Sequence, residues 1–584
     1  MYISLPLDRQ TFAFGALPTA RLDHCAETIV SDSLRYHIAI AIAMATSTTL
    51  PPLVHSPDLK YSNKIRDGDT ISLNHLKFPG HSVSVSITAT DDPEAWVEKD
   101  FDRWRPEYHL MPRRNWANDP CGPCYSPSDG GFYHTAFQWN LRGCVWGNIS
   151  WGHAVSRDLV HWKVSPRPSI QPSHDEDPHG VFSGCTWPTN PRGIADGTLT
   201  SFYTSAQCGP IHWTLPYRKD SELVRMATSD DHGKTWRRHP ARSLIPGPPE
   251  GVDVTAWRDP FIGPWESVDM CLGRRTGEYT YGIISGGVRH SSPTVFLYSI
   301  DAQDLTQWRY LCMPLAPGIN FAPSPKLPDF GTNWEMTNFM TLQDQFKQSY
   351  DVLVMSVEGI LPRSKDTFCR PGERADRPMK AQRLNRAQGW LCAQVKKRSR
   401  DTGVEEQPGV TLEFRFGGCL DFGCFYAANS FHDPVTDKRV VYGWITEEDL
   451  PAGLTTKQGW SGLLSLPRVL GMVCISDVVT SSHSDLEALD WIHCSRCPDG
   501  TYTVTALTSV PDPRLSALRR NKRELVDLLA VLGTCFDDND LIVPPHLLPF
   551  HSKSIEVQAS FSIVSGLERI GLELYFSSGE SIPV

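Results

Sequence analysis

The chain lacks a long apolar run. The longest near its N-terminus, "IAIAIAMA" from Ile38 to Ala45, is too short to cross a bilayer. It also starts too far into the chain for a secretory leader, so neither a membrane anchor nor an export signal is read here. An excess of positive charge is missing as well. Fifty-six Lys and Arg face 66 Asp and Glu, a net charge of -10, which draws the chain neither to nucleic acid nor to an anionic membrane. Paired cysteine spacing is scarce. Among the 16 cysteines, "CGPC" from Cys121 to Cys124 matches Cys-x-x-Cys, and it reads as a Pro-rich turn rather than a strand-to-helix junction. That argues against a zinc site, a disulfide framework and redox chemistry. A single glycosylation sequon, Asn148-Ile149-Ser150, fits an unexported chain.

What is abundant points to β-structure. The 584 residues hold 43 Gly, 46 Pro and 18 Trp, a mixture that suits many short strands joined by turns. Residues 1–100 carry little pattern and are read as a partly irregular N-terminal extension. From about 101 to 474 short alternating segments dominate, and a repeat emerges. "SRDLVHW" ends at Trp162, "SDDHGKTW" at Trp236 and "DAQDLTQW" at Trp308, at spacings of 74 and 72 residues. An Asp-rich turn closed by Trp at this period fits one four-stranded propeller blade per repeat. Five polar landmarks keep the same beat: Asp119, Phe182, Asp259, Glu335 and Asp421, at intervals of 63, 77, 76 and 86 residues. The fold class expected is therefore all-β, a five-bladed β-propeller whose innermost strands each carry one landmark toward a shared funnel.

Residues 361–408, with Arg363, Lys365, Arg370, Arg374 and Arg377, read as a solvated basic loop. Residues 475–584 read as a β-sandwich domain that looks incomplete. "LSALRRNKRELVDLLAVL" near 515–532 suggests a linking helix. The alternating segments 555–563 and 570–576 suggest a hairpin.

The motifs themselves carry a resemblance. By itself Asn118-Asp119-Pro120 reads as a tight turn with a solvated carboxylate. Yet "NWANDPCG", "FQWN", "WGNISWGHAVSRDLVHW", "GVFSGC", "WRDPF", "FYAANSF" and "GWSGLLSLPRVL" occur in the order found in glycoside hydrolase family 32, the invertases, inulinases and fructosyltransferases. The chain resembles that family over roughly residues 100–470. "IHWTLPY", "SPTVFLY" and "WEMTNFMTL" look most like its fungal fructosyltransferase branch. The resemblance implies a five-bladed propeller followed by a β-sandwich. It also implies a retaining enzyme acting on sucrose and fructooligosaccharides, without metal or organic cofactor, and without nucleic-acid or membrane partners. It points to an extracellular or cell-wall setting, whereas the missing leader points to an intracellular one. The sequence sets no oligomeric state.

By resemblance Asp119 is the nucleophile, Glu335 the general acid/base and Asp259 the third carboxylate, binding sugar hydroxyls. These residue types suit a fructofuranosyl bond. It breaks through an oxocarbenium-like state that an anionic carboxylate traps, while the leaving oxygen takes a proton from a carboxylic acid of raised pKa. Asn118, Gln138, Trp146, Phe182, Ser183 and Arg258 are then expected around the sugar, Gln138 and Trp146 from strands. His212, Glu358, Tyr426 and Glu447 match positions on the acceptor side, with exposed-loop roles as the alternative. Trp116 and Trp334 read as either packing or substrate contacts, and His153 as a satisfied structural histidine. The pattern departs at Ala117, Cys121 and Met336, which puts the proton affinity of Glu335 and the donor preference in question. A hydrolytic invertase or fructanase, and a catalytically impaired sugar-binding member, are the competing readings.

Overall fold

The computed structural model describes residues 105–521, except for 325–326, 362–385, 399–408, 449, 451 and parts of 481–490; it also describes 101–102 and the segments 26–28, 39–46, 82–83, 524–526, 542–543 and 567–575. Residue contacts divide the chain into two units. One comprises 1–108, 479–483 and 515–584; the other comprises 109–478 and 484–514.

The second unit is the five-bladed β-propeller. Blades 1 to 4 are antiparallel meanders, blade 5 is antiparallel with its last two strands exchanged in order, and the first strand of each blade is innermost. These inner strands are Asn115–Ser126, Gly180–Trp187, Val254–Gly263, Asn333–Gln343 and Phe425–Asp433. Each packs against the next, and the fifth packs against the first, so the ring closes. A short strand late in the chain seals it: Trp460 and Ser461 pair in parallel with Asn115 and Trp116 of blade 1. Closing the ring removes the sheet edges that an open array would leave unpaired.

The Trp repeat has a local cause. Trp162, Trp236 and Trp308 each donate the indole N–H, at 3.0 Å, to a carbonyl three residues upstream: Leu159, Gly233 and Leu305. The Asp of each turn accepts backbone amides, Asp158 from His161 at 2.8 Å, Asp231 from Thr235 at 2.8 Å and Asp304 from Thr306 at 3.1 Å. The motif is an Asx-type turn locked by an aromatic ring, and it recurs at the third-to-fourth strand connection of blades 1 to 3.

A second repeat was not legible. All five inner strands slip register against their neighbour at matching places: after Ala117, Val181, Arg258, Glu335 and Tyr426. Each slip is a β-bulge that leaves backbone amides outside the ladder and re-aims the side chains around it. Side chains of the preceding blade accept the freed amides. Asp259 donates to Thr204 Oγ1 at 2.8 Å, Thr337 to Ser285 Oγ at 2.9 Å and Ala428 to Gln388 Oε1 at 3.0 Å. Asp259, Met336 and Ala427 have φ of 61°, 46° and 53°, a left-handed conformation that L-residues adopt at some cost. At the centre Asn429 of blade 5 donates to the carbonyls of Pro120 and Gly184, tying blades 1, 2 and 5 together.

Several expectations need correction. Asp421 does not begin an inner strand; it ends the outermost strand of blade 4, Val410–Asp421, and the matching landmark in blade 5 is Tyr426. Asn118–Pro120 and the Cys121–Cys124 stretch are not turns but part of an inner strand, and both thiols are buried and free. The fifth sheet continues past residue 475: Tyr502–Pro511 pairs with Arg468–Val478, and His493–Arg496 forms the outer edge. Residues 386–397 of the basic stretch form a strand of blade 4, while Arg363, Lys365, Arg370, Arg374 and Arg377 lie outside the described residues.

In the other unit the "IAIAIAMA" run is strand: Ala39–Thr46 pairs antiparallel with Leu567–Tyr575. The hairpin expected for that C-terminal strand needs residues 555–563, which lie outside the described residues. The long helix expected near 515–532 is a 3-10 helix over Pro513–Asn521, followed by an extended Glu524–Val526 that pairs with Ala26–Thr28.

Candidate active site

The site is built on the bulges. In blade 1 a relay of polar side chains orients Asp119. Trp116 donates its indole N–H to Asn118 Oδ1 at 2.8 Å, and Asn118 Nδ2 donates to Asp119 Oδ1 at 3.0 Å. Ser183 Oγ, from the bulge of blade 2, donates to Asp119 Oδ2 at 2.7 Å. Gln138 Nε2 reaches the same oxygen at 3.4 Å and also bonds Ser183 Oγ. Both oxygens are thereby held, and the carboxylate cannot swing.

Blades 3 and 4 supply the opposite group. Arg258 donates from Nε and Nη2 to Glu335 Oε1 at 3.1 and 2.9 Å. Tyr426 of blade 5 donates to Glu335 Oε2 at 3.0 Å. The same guanidinium bonds buried Glu222 through Nη1 at 2.9 Å and lies 3.5 Å from Glu358 Oε2. Glu358 also receives Asn333 Nδ2 at 3.0 Å and Arg386 Nη2 at 3.5 Å. Asp259 Oδ2 accepts the backbone amide of Met336, the residue after Glu335, at 3.1 Å, so the third carboxylate steadies the bulge that aims the second.

Burial and mutual repulsion set the proton affinities. Burial pushes Asp119 up to about 6; the Ser183 hydrogen bond pulls it back and the Glu335 charge adds to the rise. Burial raises Asp259 well above the ordinary carboxylate range against the opposing charge of Arg258. Burial likewise lifts Glu358 to about 7, with Glu335 adding to it. Glu335 goes the other way. Burial favours its neutral form, but the charges of Arg258 and Arg386 and the hydrogen bonds from Arg258 and Tyr426 outweigh it, and its pKa lies below the usual value. The raised pKa expected for a proton donor is therefore found on Asp119, Asp259 and Glu358, not on Glu335.

Most of the expected residues meet here: Asn118, Gln138, Ser183, Arg258, Glu358 and Tyr426 all belong to this network. Asn118, Gln138 and Ser183 spend hydrogen bonds on Asp119. Glu358 and Tyr426 are buried rather than on an exposed loop. Trp146 is not in a strand; it lies in the connection between Asn140 and Ile149, 53% exposed, with its ring edge-on to buried Phe182 at 5.7 Å. His212 is exposed and bonds Thr214 Oγ1 at 2.6 Å; burial and the charges of Arg258 and Arg386 lower its pKa, so it stands at the rim of the cluster. Glu447 is engaged elsewhere: its Oε2 accepts the Gly462 amide at 2.7 Å, beside the strand that closes the ring. Trp334 is fully buried and donates to the Phe330 carbonyl, which makes it packing. His153 is buried and contacts His134 at 3.3 Å. Three members were missed: Glu222, Asn333 and Arg386. Glu222 and Arg386 each open a strand and fall in none of the motifs read from the sequence.

A five-bladed propeller whose inner-strand bulges gather carboxylates from separate blades defines a class, the propellers with an acidic central funnel. Within that class the assignment is specific. Residues 109–482 match the model described as the Glycosyl hydrolases family 32 N-terminal domain, and the chain belongs to glycoside hydrolase family 32. It is 27% identical over 401 residues to beta-fructofuranosidase, insoluble isoenzyme 2, of Oryza sativa subsp. japonica, covering 68% of this chain and 58% of that protein. It is 27% identical to acid beta-fructofuranosidase of Solanum lycopersicum, covering 67% and 52%. The chain thus spans little more than half the length of these curated relatives. Among solved structures, Aspergillus kawachii beta-fructofuranosidase complexed with glycerol superposes with a TM-score of 0.60 at 25% identity, covering 71% of this chain and 66% of that one. The fructosyltransferase from A. japonicus shares the fold, with a TM-score of 0.61 at 24% identity and coverage of 71% and 68%.

Proposed function

We propose that the chain is a retaining glycosidase that cleaves the fructosyl bond of sucrose and passes the fructosyl group to a second sugar, giving fructooligosaccharides. The observation that carries this reading is the meeting of Asp119, Asp259 and Glu335, from three blades, in one network of bulged strands. Asp119 attacks the anomeric carbon and forms a fructosyl ester as the bond to the glucosyl oxygen breaks. Glu335 gives its proton to that oxygen and glucose leaves. In the second step Glu335 takes the proton of the acceptor hydroxyl as that oxygen displaces Asp119. Asp259 binds sugar hydroxyls and favours the cationic transition state.

The reaction needs one proton on the Asp119–Glu335 pair. The pair holds one proton between the low pKa of Glu335 and the value of about 6 for Asp119. In the resting site that proton sits mostly on Asp119. A bound sugar that draws Arg258 or Tyr426 off Glu335 shifts it to the productive place.

Hydrolysis is the second reading, favoured by the relatives named beta-fructofuranosidase. The products formed from concentrated sucrose by purified protein decide between the two. Glucose in excess of free fructose means transfer, equal amounts mean hydrolysis, and neither product refutes both.

A further inference from the structure

Glu222 belongs to none of the motifs above. It opens the third strand of blade 2, Glu222–Ser229, and is completely buried, yet both of its oxygens serve blade 3. Oε1 accepts Arg258 Nη1 at 2.9 Å and Oε2 accepts the Trp257 backbone amide at 2.9 Å. Arg258 is therefore gripped from two sides. Nη1 faces Glu222, while Nε and Nη2 face Glu335, and Nη2 also approaches Glu358. A guanidinium is a planar fork, so fixing one prong fixes the direction of the others.

We infer that Glu222 is a positioning residue for the acid/base: it anchors Arg258 from behind and shares its charge, so that Glu335 is held in place yet can still accept a proton. It does this through Arg258 rather than at a reacting atom. The inference rests on the reading of Glu335 as acid/base. The charged and titratable groups that act on Glu335 are Asp119, Asp259, Glu358, Arg258, Arg386, Tyr426 and His212. With Glu222 neutral, Arg258 faces one negative charge fewer. Glu335 then holds its anionic form more firmly, and protonation of the leaving oxygen suffers.

The test compares two donors. Sucrose leaves as a poor alkoxide and needs the proton; an aryl fructoside leaves as a phenolate and does not. In Glu222→Gln, kcat/KM for sucrose is expected to fall about 10- to 100-fold and that for the aryl fructoside less than about 3-fold. The acid limb of the sucrose pH profile should also move down by about one unit. Glu222→Asp keeps the charge and should restore the profile. Equal losses on both donors with an unmoved profile would overturn the inference while leaving the acid/base reading of Glu335 intact. Failure of both variants to fold assigns Glu222 a structural role and overturns it as well. Wild-type protein that cleaves neither donor refutes the reading of the site first, and the inference falls with it.

Discussion

In blade 3 the second and third strands, Tyr279–Val288 and Ser292–Asp301, pair over ten steps without a register shift, whereas the innermost strand, Val254–Gly263, slips between Arg258 and Phe261. The regular ladder carries the packing. Ile284, Phe296 and Tyr298 from those two strands form a closed cluster with Val224, Val254 and Trp257. The irregular strand carries the chemistry, with Arg258 and Asp259 at the slip. The same division recurs in blade 4, where the inner strand slips after Glu335 while the next two, Ser349–Glu358 and Arg386–Lys397, stay in step. Among the three inner strands of these two blades the slips fall on the innermost one, where neighbouring side chains take up the amides it releases. An inner strand can then lose an isosteric charge with little harm to the fold, and an outer strand can lose packing with little harm to the chemistry.

The sharpest way to break that division is Asp119→Asn. The amide keeps the shape but cannot form the fructosyl ester, so turnover should fall by at least about 10³-fold. The melting temperature should hold, because Asp119 is raised to about 6 and already resists ionisation. Near-normal turnover would remove Asp119 from the mechanism. Glu335→Gln comes next. Sucrose cleavage should drop about 10²- to 10⁴-fold, and formation of the ester from an aryl fructoside much less. Single-turnover kinetics on both donors measures this, and equal losses would contradict the acid role.

Trp308→Ala probes the outer strands. The ring packs on Phe202 and Tyr298, and its removal should cost about 2–4 kcal/mol in denaturant unfolding with kcat unchanged. A variant with intact stability but lost activity would invert the comparison. The pH dependence sharpens it from the side of the site. kcat/KM should be bell-shaped, falling below the lowered pKa of Glu335 as both carboxyls protonate, and falling again above about 6 as the pair loses its last proton. An optimum at neutral pH or above would refute this ordering. The smallest effect belongs to the rim. His212→Ala should lower the ratio of transfer to hydrolysis several-fold, through loss of acceptor orientation, while total sucrose consumption changes less. Parallel loss of both would take acceptor selection away from His212.

The division also explains what could be read in advance. The Asp-to-Trp turns of the outer hairpins are local, their hydrogen bonds span two to four residues, and they gave the blade period directly. The signature residues Asp119, Asp259 and Glu335 were legible because each sits in a distinctive string. Glu222 and Arg386 were not, because their partners lie 36 and 28 residues or more away and no local pattern marks them. Asp421 misled because it keeps the spacing of the repeat but precedes the bulge by several residues. The low proton affinity of Glu335 comes from two arginines on two other strands, and no string near "NWEMTN" encodes it.

The seal between Trp460–Ser461 and the strand of Asp119 has a consequence in time. Nearby, His109 bonds the Leu464 carbonyl across 355 residues of chain. At about 5–20 residues per second a ribosome needs roughly 20 to 70 s to make that stretch. For that whole interval the first blade waits with its inner strand uncovered on one side, and Asp119 has no Glu335 beside it until blade 4 emerges. On the proposed mechanism the nascent chain is therefore inert toward sucrose and adhesive toward other strands over the same period. Release from the second hazard and the start of activity arrive close together, with the last blades of the ring.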